Sequence, residues 1–204
     1  MWFDAPMGYI SITANYTDEW RQWWQNPEQV KMYQFMGKDN TPFHSVVFPS
    51  SLLASKKDWT FVHHISTTEY LQYEDKKFSK SKNTGVFGDD VVGTGIPISV
   101  WRYYLLTNRP EQSDSYFNWD DLMAKNNNEL IANPGNLCNR VLKFLFKNRG
   151  GVIPSIAKDL LNQADKDFLG SLMASFKNYC DLLEFVKIKE GLKVVMEFSS
   201  LLNK

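Results

Sequence analysis

The run Lys77-Phe78-Ser79-Lys80-Ser81-Lys82 is the segment whose residue types most plainly suggest chemistry. Ammonium groups at Lys77 and Lys80, set among small hydroxyl residues in a polar stretch, suit a polyphosphate. Lysine is a compact point charge on a flexible stem and can follow a phosphate through a reaction. Charge developing on a departing pyrophosphate is where such groups stabilise most. Taken alone, the same run is a solvated basic turn. A second pair is Asn136 and Arg140, four apart and so on one face of a helix. An amide and a guanidinium can hydrogen-bond the edges of an unstacked base, and the guanidinium can also stack on it. Lys143 and Lys147 follow at helical spacing and could hold phosphates, although spacing alone favours a solvated basic face. Cys138 and Cys180 are the only cysteines, beside three histidines. That is too few and too scattered for a structural zinc site, and the cysteines read as buried reduced thiols.

Two further blocks precede the lysine run. Trp2-Phe3-Asp4-Ala5-Pro6-Met7-Gly8-Tyr9 opens the chain, and Gly37-Lys38-Asp39-Asn40-Thr41-Pro42-Phe43-His44 comes between. These residues in this order resemble the methionyl-tRNA synthetase family of class I synthetases. The lysine run is similar to that family's KMSKS loop, with Phe78 replacing Met where an apolar anchor suffices. The opening block is the more specific sign. The resemblance continues through residues 101–106, 118–120 and 135–140, and so covers nearly the whole chain. The form of the lysine run and the segment Tyr70-Leu71-Gln72-Tyr73-Glu74-Asp75 look like the eukaryotic cytosolic branch.

The resemblance implies a ligase that activates methionine with ATP to methionyl-adenylate and transfers it to tRNA(Met) in the cytoplasm. It implies a methionine pocket from Trp2, Ala5, Pro6, Tyr9 and His44, and a thioether does favour a polarisable aromatic wall. Without the other blocks, Trp2, Pro6 and Tyr9 would be plain core. Gly37 and Asp39 match the family's Gly-x-Asp, the Gly admitting the adenylate and the Asp binding an amine or ribose hydroxyls; Lys-Asp-Asn is also ordinary turn chemistry. Leu71 stands where the family contacts adenine, and could equally be core. Lys80, supported by Lys77, would stabilise the phosphates, with magnesium arriving on ATP. Asn136 and Arg140 would read the anticodon. Asn40 and Ala132 depart from the family pattern, and no zinc site is implied in this segment.

These groups need elements to position them. Residues 15–34 read as an aromatic-rich helical stretch, and 43–55 as a buried helix bent or ended near Pro49. Residues 60–66 have strand composition, 68–78 a hairpin pattern, and 98–107 form a mostly buried helix. Asn118 caps a long helix that meets Asn133-Pro134-Gly135, a turn by its chemistry. Pro134 must kink or start the helix that follows. Residues 165–185 and 188–202 give two amphipathic helices. The fold class is thus α/β followed by all-α. The resemblance divides it into the second half of a Rossmann-type nucleotide-binding domain (1–59), the lysine-loop and stem-contact region (60–115), and the start of a helical anticodon-binding bundle (116–204).

Composition sets outer bounds. With 43% hydrophobic and 23% charged residues the chain has the balance of a globular protein. Its formal net charge of zero gives no support to a general nucleic-acid binder, so any RNA contact is local. No apolar run is long enough for a membrane span. Both ends read as cut, with the half that completes the ATP site missing, so this segment is expected to be inactive alone. The alternatives are a non-catalytic tRNA-binding or scaffold module of the same architecture, and a sister class I synthetase for another apolar amino acid.

Overall fold

The structure, a computed structural model, describes residues 4–155 and 160–203, so Trp2 lies outside the described residues. It divides into two compact units. The first takes the described residues up to Tyr70 together with Pro110–Asp114, and the second takes Leu71–Arg109 and the described residues from Ser115 onward.

In the first unit, helix α1 (Asp4–Tyr16) is followed by the short α2 (Trp20–Trp24) and strand β1 (Met32–Gly37). A 3-10 turn at Lys38–Asn40 and a π turn at Phe43–Val47 lead into α3 (Phe48–Ala54), whose Pro49 sits in its first turn. Strand β2 (Val62–Thr68) then runs parallel to β1, in register from Tyr33 opposite His64 to Gly37 opposite Thr68. Parallel neighbours need a crossover, and α3 supplies it. The core is Ile10, Phe48, Leu52 and Trp59, with Trp20, Trp24, Met32 and Val62 packed against it. Two of these indoles keep a partner: Trp24 Nε1 donates to Thr13 Oγ1 at 2.9 Å, and Trp59 Nε1 to Ser55 Oγ at 2.6 Å.

In the second unit, β3 (Leu71–Tyr73) pairs in parallel with β4 (Ser115–Phe117). Between them lie the short α4 (Gly88–Val91) and α5 (Ile98–Thr107). The core of Trp101, Tyr104, Phe117 and Leu122 gathers Leu71, Tyr73, Phe78, Val100 and Trp119 around it. Phe117 stacks on both Tyr73 and Trp101 and meets Tyr104 and Trp119 edge-on. Helix α6 (Trp119–Lys125) is capped by Asn118, whose side chain accepts from Asp121 N at 3.0 Å. Glu74 in turn accepts from the Asn118 amide at 2.7 Å and from Trp119 N at 3.3 Å, fixing the cap to the end of β3. Residues Asn126–Gly135 continue α6 as a π-helix, which runs into α7 (Asn136–Arg149). Helices α8 (Gln163–Glu184) and α9 (Ile188–Leu202) pack on each other, and Gly191 admits Leu183 and Tyr179 closely.

Five sequence expectations are corrected. The 15–34 stretch is not one helix: it holds the end of α1, then α2, then the start of β1. The 68–78 hairpin reduces to one antiparallel bridge, Tyr73 with Lys76, around Glu74 at φ 52°. Glu74 is drawn to Asn118, and β3 takes β4 as its partner instead of its own sequence neighbour. Asn133-Pro134-Gly135 is no turn. Proline has no N–H and its ring collides with the carbonyl four residues back in an α-helix; the wider π register removes that collision and the helix continues. Cys138 and Cys180 are both exposed. The 43–55 segment is helical but buried only on one side, with Phe48 and Leu52 inside and Val46 and Leu53 outside.

Phe117 retains 2% of its exposure and its ring joins β3, α5 and α6. Phe117→Ala should cost about 3–5 kcal/mol of stability, the range for removing a buried aromatic ring. Urea unfolding of the full-length protein followed by tryptophan fluorescence measures it, and an unshifted midpoint would mean that the ring is not the joint.

Candidate functional site

The first unit collects one group of the sequence-derived residues at the carboxyl ends of its parallel strands, where open α/β sheets bind ligands. Gly37 is the last residue of β1, and Asp39 lies in the turn that follows. Asp39 is exposed, and its Oδ2 accepts a hydrogen bond from the Tyr70 hydroxyl at 2.5 Å. Lys38 forms an ion pair with Glu69, and its ammonium also sits 4.8 Å from the centre of the Tyr70 ring. Tyr70 N donates to Asp114 Oδ1 at 3.1 Å, which holds the residue from behind. Its hydroxyl is kept protonated: the bond to Asp39, desolvation and the negative charge of Asp39 all raise the phenol above its ordinary range. Tyr70 had no mark in the sequence as a partner of Asp39, since the two are far apart along the chain. The Gly-x-Asp match pointed only to the acid.

Beside this group, His44 is buried and bridges two elements. Its Nδ1 lies 2.8 Å from the Asn40 carbonyl, which can only accept, so Nδ1 carries a proton. In the neutral ring Nε2 is then left to accept from the Tyr9 hydroxyl, 2.8 Å away. Thus Asn40, set aside as a departure from the family pattern, fixes the tautomer through its backbone. Tyr9 and His44 line a cleft of about 380 Å³ together with Trp24, Met32, Tyr33 and Phe35. Pro6 on α1 is buried, while its neighbour Ala5 is exposed. The cleft therefore has aromatic and sulfur-bearing walls, with the hydrogen-bonded pair Tyr9 and His44 and the amide of Gln34 as polar groups in its lining.

The second unit holds the lysines. Phe78 packs against Tyr73 and Phe87 and belongs to the margin of the aromatic core. Ser79 and Thr84 exchange both backbone hydrogen bonds at 2.9 Å, closing a loop around the 3-10 turn Lys80–Lys82. Lys77 and Lys80 are exposed on either side of the half-buried Phe78 ring, so one apolar residue anchors two exposed charges. Leu71 is half-buried at the margin of the same core. Farther along, Asn136 and Arg140 are exposed on α7, as are Lys143 and Lys147. Asn136 borders a groove of about 770 Å³ lined also by Ser99, Asn126, Leu130 and Asn139. Arg140 is tied at one nitrogen, its Nη1 donating to the Asn203 carbonyl at 2.8 Å. Among the described residues no group of three or more His, Cys, Asp and Glu could hold a metal, and no helix is long and apolar enough to cross a membrane.

Gly85 explains how the loop is seated. It has φ +130°, and a Cβ there would come within 2.3 Å of the Phe78 ring. Gly85→Ala should lower stability by about 1–3 kcal/mol through displacement of that ring, on top of the strain of a side chain at this φ. Urea unfolding of the full-length protein reads the loss. If the midpoint does not move, the lysine loop does not lean on Phe78.

Residues 1–142 match the family described as tRNA synthetases class I (M). The chain is similar over 100% of its length to the probable cytoplasmic methionine–tRNA ligase of Dictyostelium discoideum, at 57% identity. It is 54% identical over 98% of its length to the corresponding probable cytoplasmic ligase of Schizosaccharomyces pombe. It spans 27% and 26% of those relatives, about a quarter of their length. Its backbone resembles that of the Mycobacterium tuberculosis methionyl-tRNA synthetase solved with methionyl-adenylate, with a TM-score of 0.78 at 18% identity, over 97% of this chain and 37% of that one.

Proposed function

Because the chain belongs to the class I tRNA synthetases of the (M) type, we propose that it is part of a eukaryotic cytoplasmic methionine–tRNA ligase. Such an enzyme joins methionine to ATP as methionyl-adenylate and passes the methionyl group to tRNA(Met). The observation that carries this reading is identity above one half, along the entire chain, to proteins named as cytoplasmic methionine–tRNA ligases. A non-catalytic scaffold is not favoured, since those relatives are named as ligases. The three-part division at 1–59, 60–115 and 116–204 belongs to the same proposal.

In the first step a methionine carboxylate oxygen attacks the α-phosphorus of ATP and pyrophosphate leaves. No protein nucleophile is needed; positioning and charge neutralisation suffice. Lys80, with Lys77 beside it, meets the charge growing on the departing phosphates, and magnesium rides on the phosphates themselves. Exposed ammonium groups on a loop anchored by Phe78 fit that task. Gly37 lets the adenylate approach the strand end. Asp39 accepts from an amine or a ribose hydroxyl, a role its present bond to a phenol already rehearses. Leu71 lies against adenine. Trp2, Ala5, Pro6, Tyr9 and His44 form the methionine pocket, with the Tyr9–His44 bond placing a polar edge in a largely aromatic and sulfur-bearing wall. In the second step the terminal ribose hydroxyl of the tRNA attacks the carbonyl of the adenylate and AMP leaves. Asn136 and Arg140 hydrogen-bond the anticodon bases. The remainder of the catalytic domain supplies the facing half of the ATP site, so this segment by itself is inactive.

Two variants of the full-length protein test the assignment. Lys80→Ala should slow methionine-dependent pyrophosphate exchange by about a hundred- to a thousandfold, the usual effect of losing one electrostatic stabiliser, with little change in stability. Unchanged exchange removes Lys80 from the chemistry. Arg140→Ala should raise KM for tRNA while leaving pyrophosphate exchange intact, and a parallel loss of exchange would assign Arg140 a structural role instead.

A further inference from the structure

The end of α9 and its capping residue Asn203 are bound to the π-helical segment by a set of amide contacts. Asn133 Nδ2 donates to Met196 O and to Ser200 Oγ, both at 2.8 Å. Asn203 Nδ2 lies 3.0 Å from Asn133 O, 3.1 Å from Asn133 Oδ1 and 3.3 Å from Ser199 O. The backbone carbonyl of Asn203 then accepts from Arg140 Nη1 at 2.8 Å, and its Oδ1 lies 3.5 Å from the same nitrogen. A cation at the carbonyl end of a helix is favoured by the helix dipole as well as by the hydrogen bond itself.

The Asn133 carbonyl, immediately before Pro134 at the end of the π segment, accepts from Asn136 N and also from the Asn203 side chain. That carbonyl ties the helix to α9. From that clasp the Asn203 carbonyl reaches the guanidinium of Arg140 and occupies one of its five donors. The remaining donors keep a fixed plane, which a hydrogen-bonding contact with a base edge requires.

We infer that Asn133 and Asn203 are positioning residues for anticodon recognition: they lock the end of α9 to the π-helical segment, and the locked Asn203 carbonyl orients the Arg140 guanidinium toward the tRNA. The inference rests on the reading of Arg140 given above. It adds two residues that touch no RNA and act through a third.

The test uses the full-length protein and two transcripts, tRNA(Met) and the same tRNA with a substituted anticodon. Asn203→Ala and Asn133→Ala should each raise KM for tRNA(Met) by about three- to tenfold, the worth of one net hydrogen bond, with methionine-dependent pyrophosphate exchange unchanged. Each should also narrow the ratio of charging between the two transcripts. That ratio does not move when a variant merely yields fewer folded molecules, so it remains decisive if a variant folds poorly. In an Arg140→Ala background, adding Asn203→Ala should change KM by under about twofold, since residues acting as one unit do not add. The inference is overturned if Asn203→Ala and Asn133→Ala leave the charging ratio intact while Arg140→Ala lowers it, or if the effects of Arg140→Ala and Asn203→Ala simply multiply. If Arg140→Ala alone leaves the ratio unchanged, the anticodon role of Arg140 fails first and the positioning role falls with it.

Discussion

An indole or phenol taken out of water usually donates a hydrogen bond to an acceptor, and in this chain several of those acceptors are the joints between elements. Trp24 reaches back from α2 to Thr13 on α1. Trp119 at the start of α6 donates to the Tyr73 hydroxyl on β3 at 2.9 Å. The Tyr104 hydroxyl on α5 lies 3.2 Å from Asn118 O and 3.1 Å from Asn118 N, at the cap of α6. Tyr103 on the same helix donates to Glu129 in the π-helical segment. Burial pushes the phenols of Tyr103 and Tyr104 up, Tyr104 to about 12, so both remain donors at any physiological pH. An aromatic content of 15% is therefore more than apolar bulk. The hydrogen-bonded indoles and phenols named above each add a directional bond, and these bonds help fix which elements meet. Trp101 is the exception, its Nε1 being buried without a partner.

The same rule explains which elements could be read from the sequence. Helices α5, α8 and α9 announce themselves because their apolar spacing depends only on the helix's own period. So does the composition of β2, a strand rich in β-branched residues at its ends. Strand β1, Met-Tyr-Gln-Phe-Met-Gly, lacks both β-branched residues and alternation, and its identity comes from its neighbour across the sheet. The pairing of β3 with β4 was equally hidden. Each strand is three residues long, and each is stabilised by a partner beyond a helix. A local pattern favoured the hairpin; Glu74 and Phe117, through contacts far away in sequence, overruled it.

Legibility of the candidate site follows the same division. Residues that would touch a ligand are few, chemically distinctive and close together in sequence: the lysine run, Gly37 with Asp39, Asn136 with Arg140. These could be picked out before any coordinates. Residues that hold those groups could not, because a supporting contact can come from any element that folds nearby. Tyr70 on Asp39, the Asn40 carbonyl on His44 and Gly85 under Phe78 are all of this second kind. Each is an ordinary residue type whose role is set only by what it faces.

Pro134 shows how far a strong local rule can be turned. Asn-Pro-Gly inside a helix would stop it if every hydrogen bond had to span four residues. Spanning five instead leaves room for the proline ring. The carbonyl of Asn133, just before the proline, accepts from Asn136 N and also from the Asn203 side chain, which adds a tertiary contact at the end of the π segment. Ten residues in π register wind less per residue than an α-helix does, so the face presented beyond them differs from that of an uninterrupted α-helix. Asn136 and Arg140 begin immediately after that segment. Their direction therefore depends on the π register before them, and Asn133 and Asn203 clasp that segment to the end of α9.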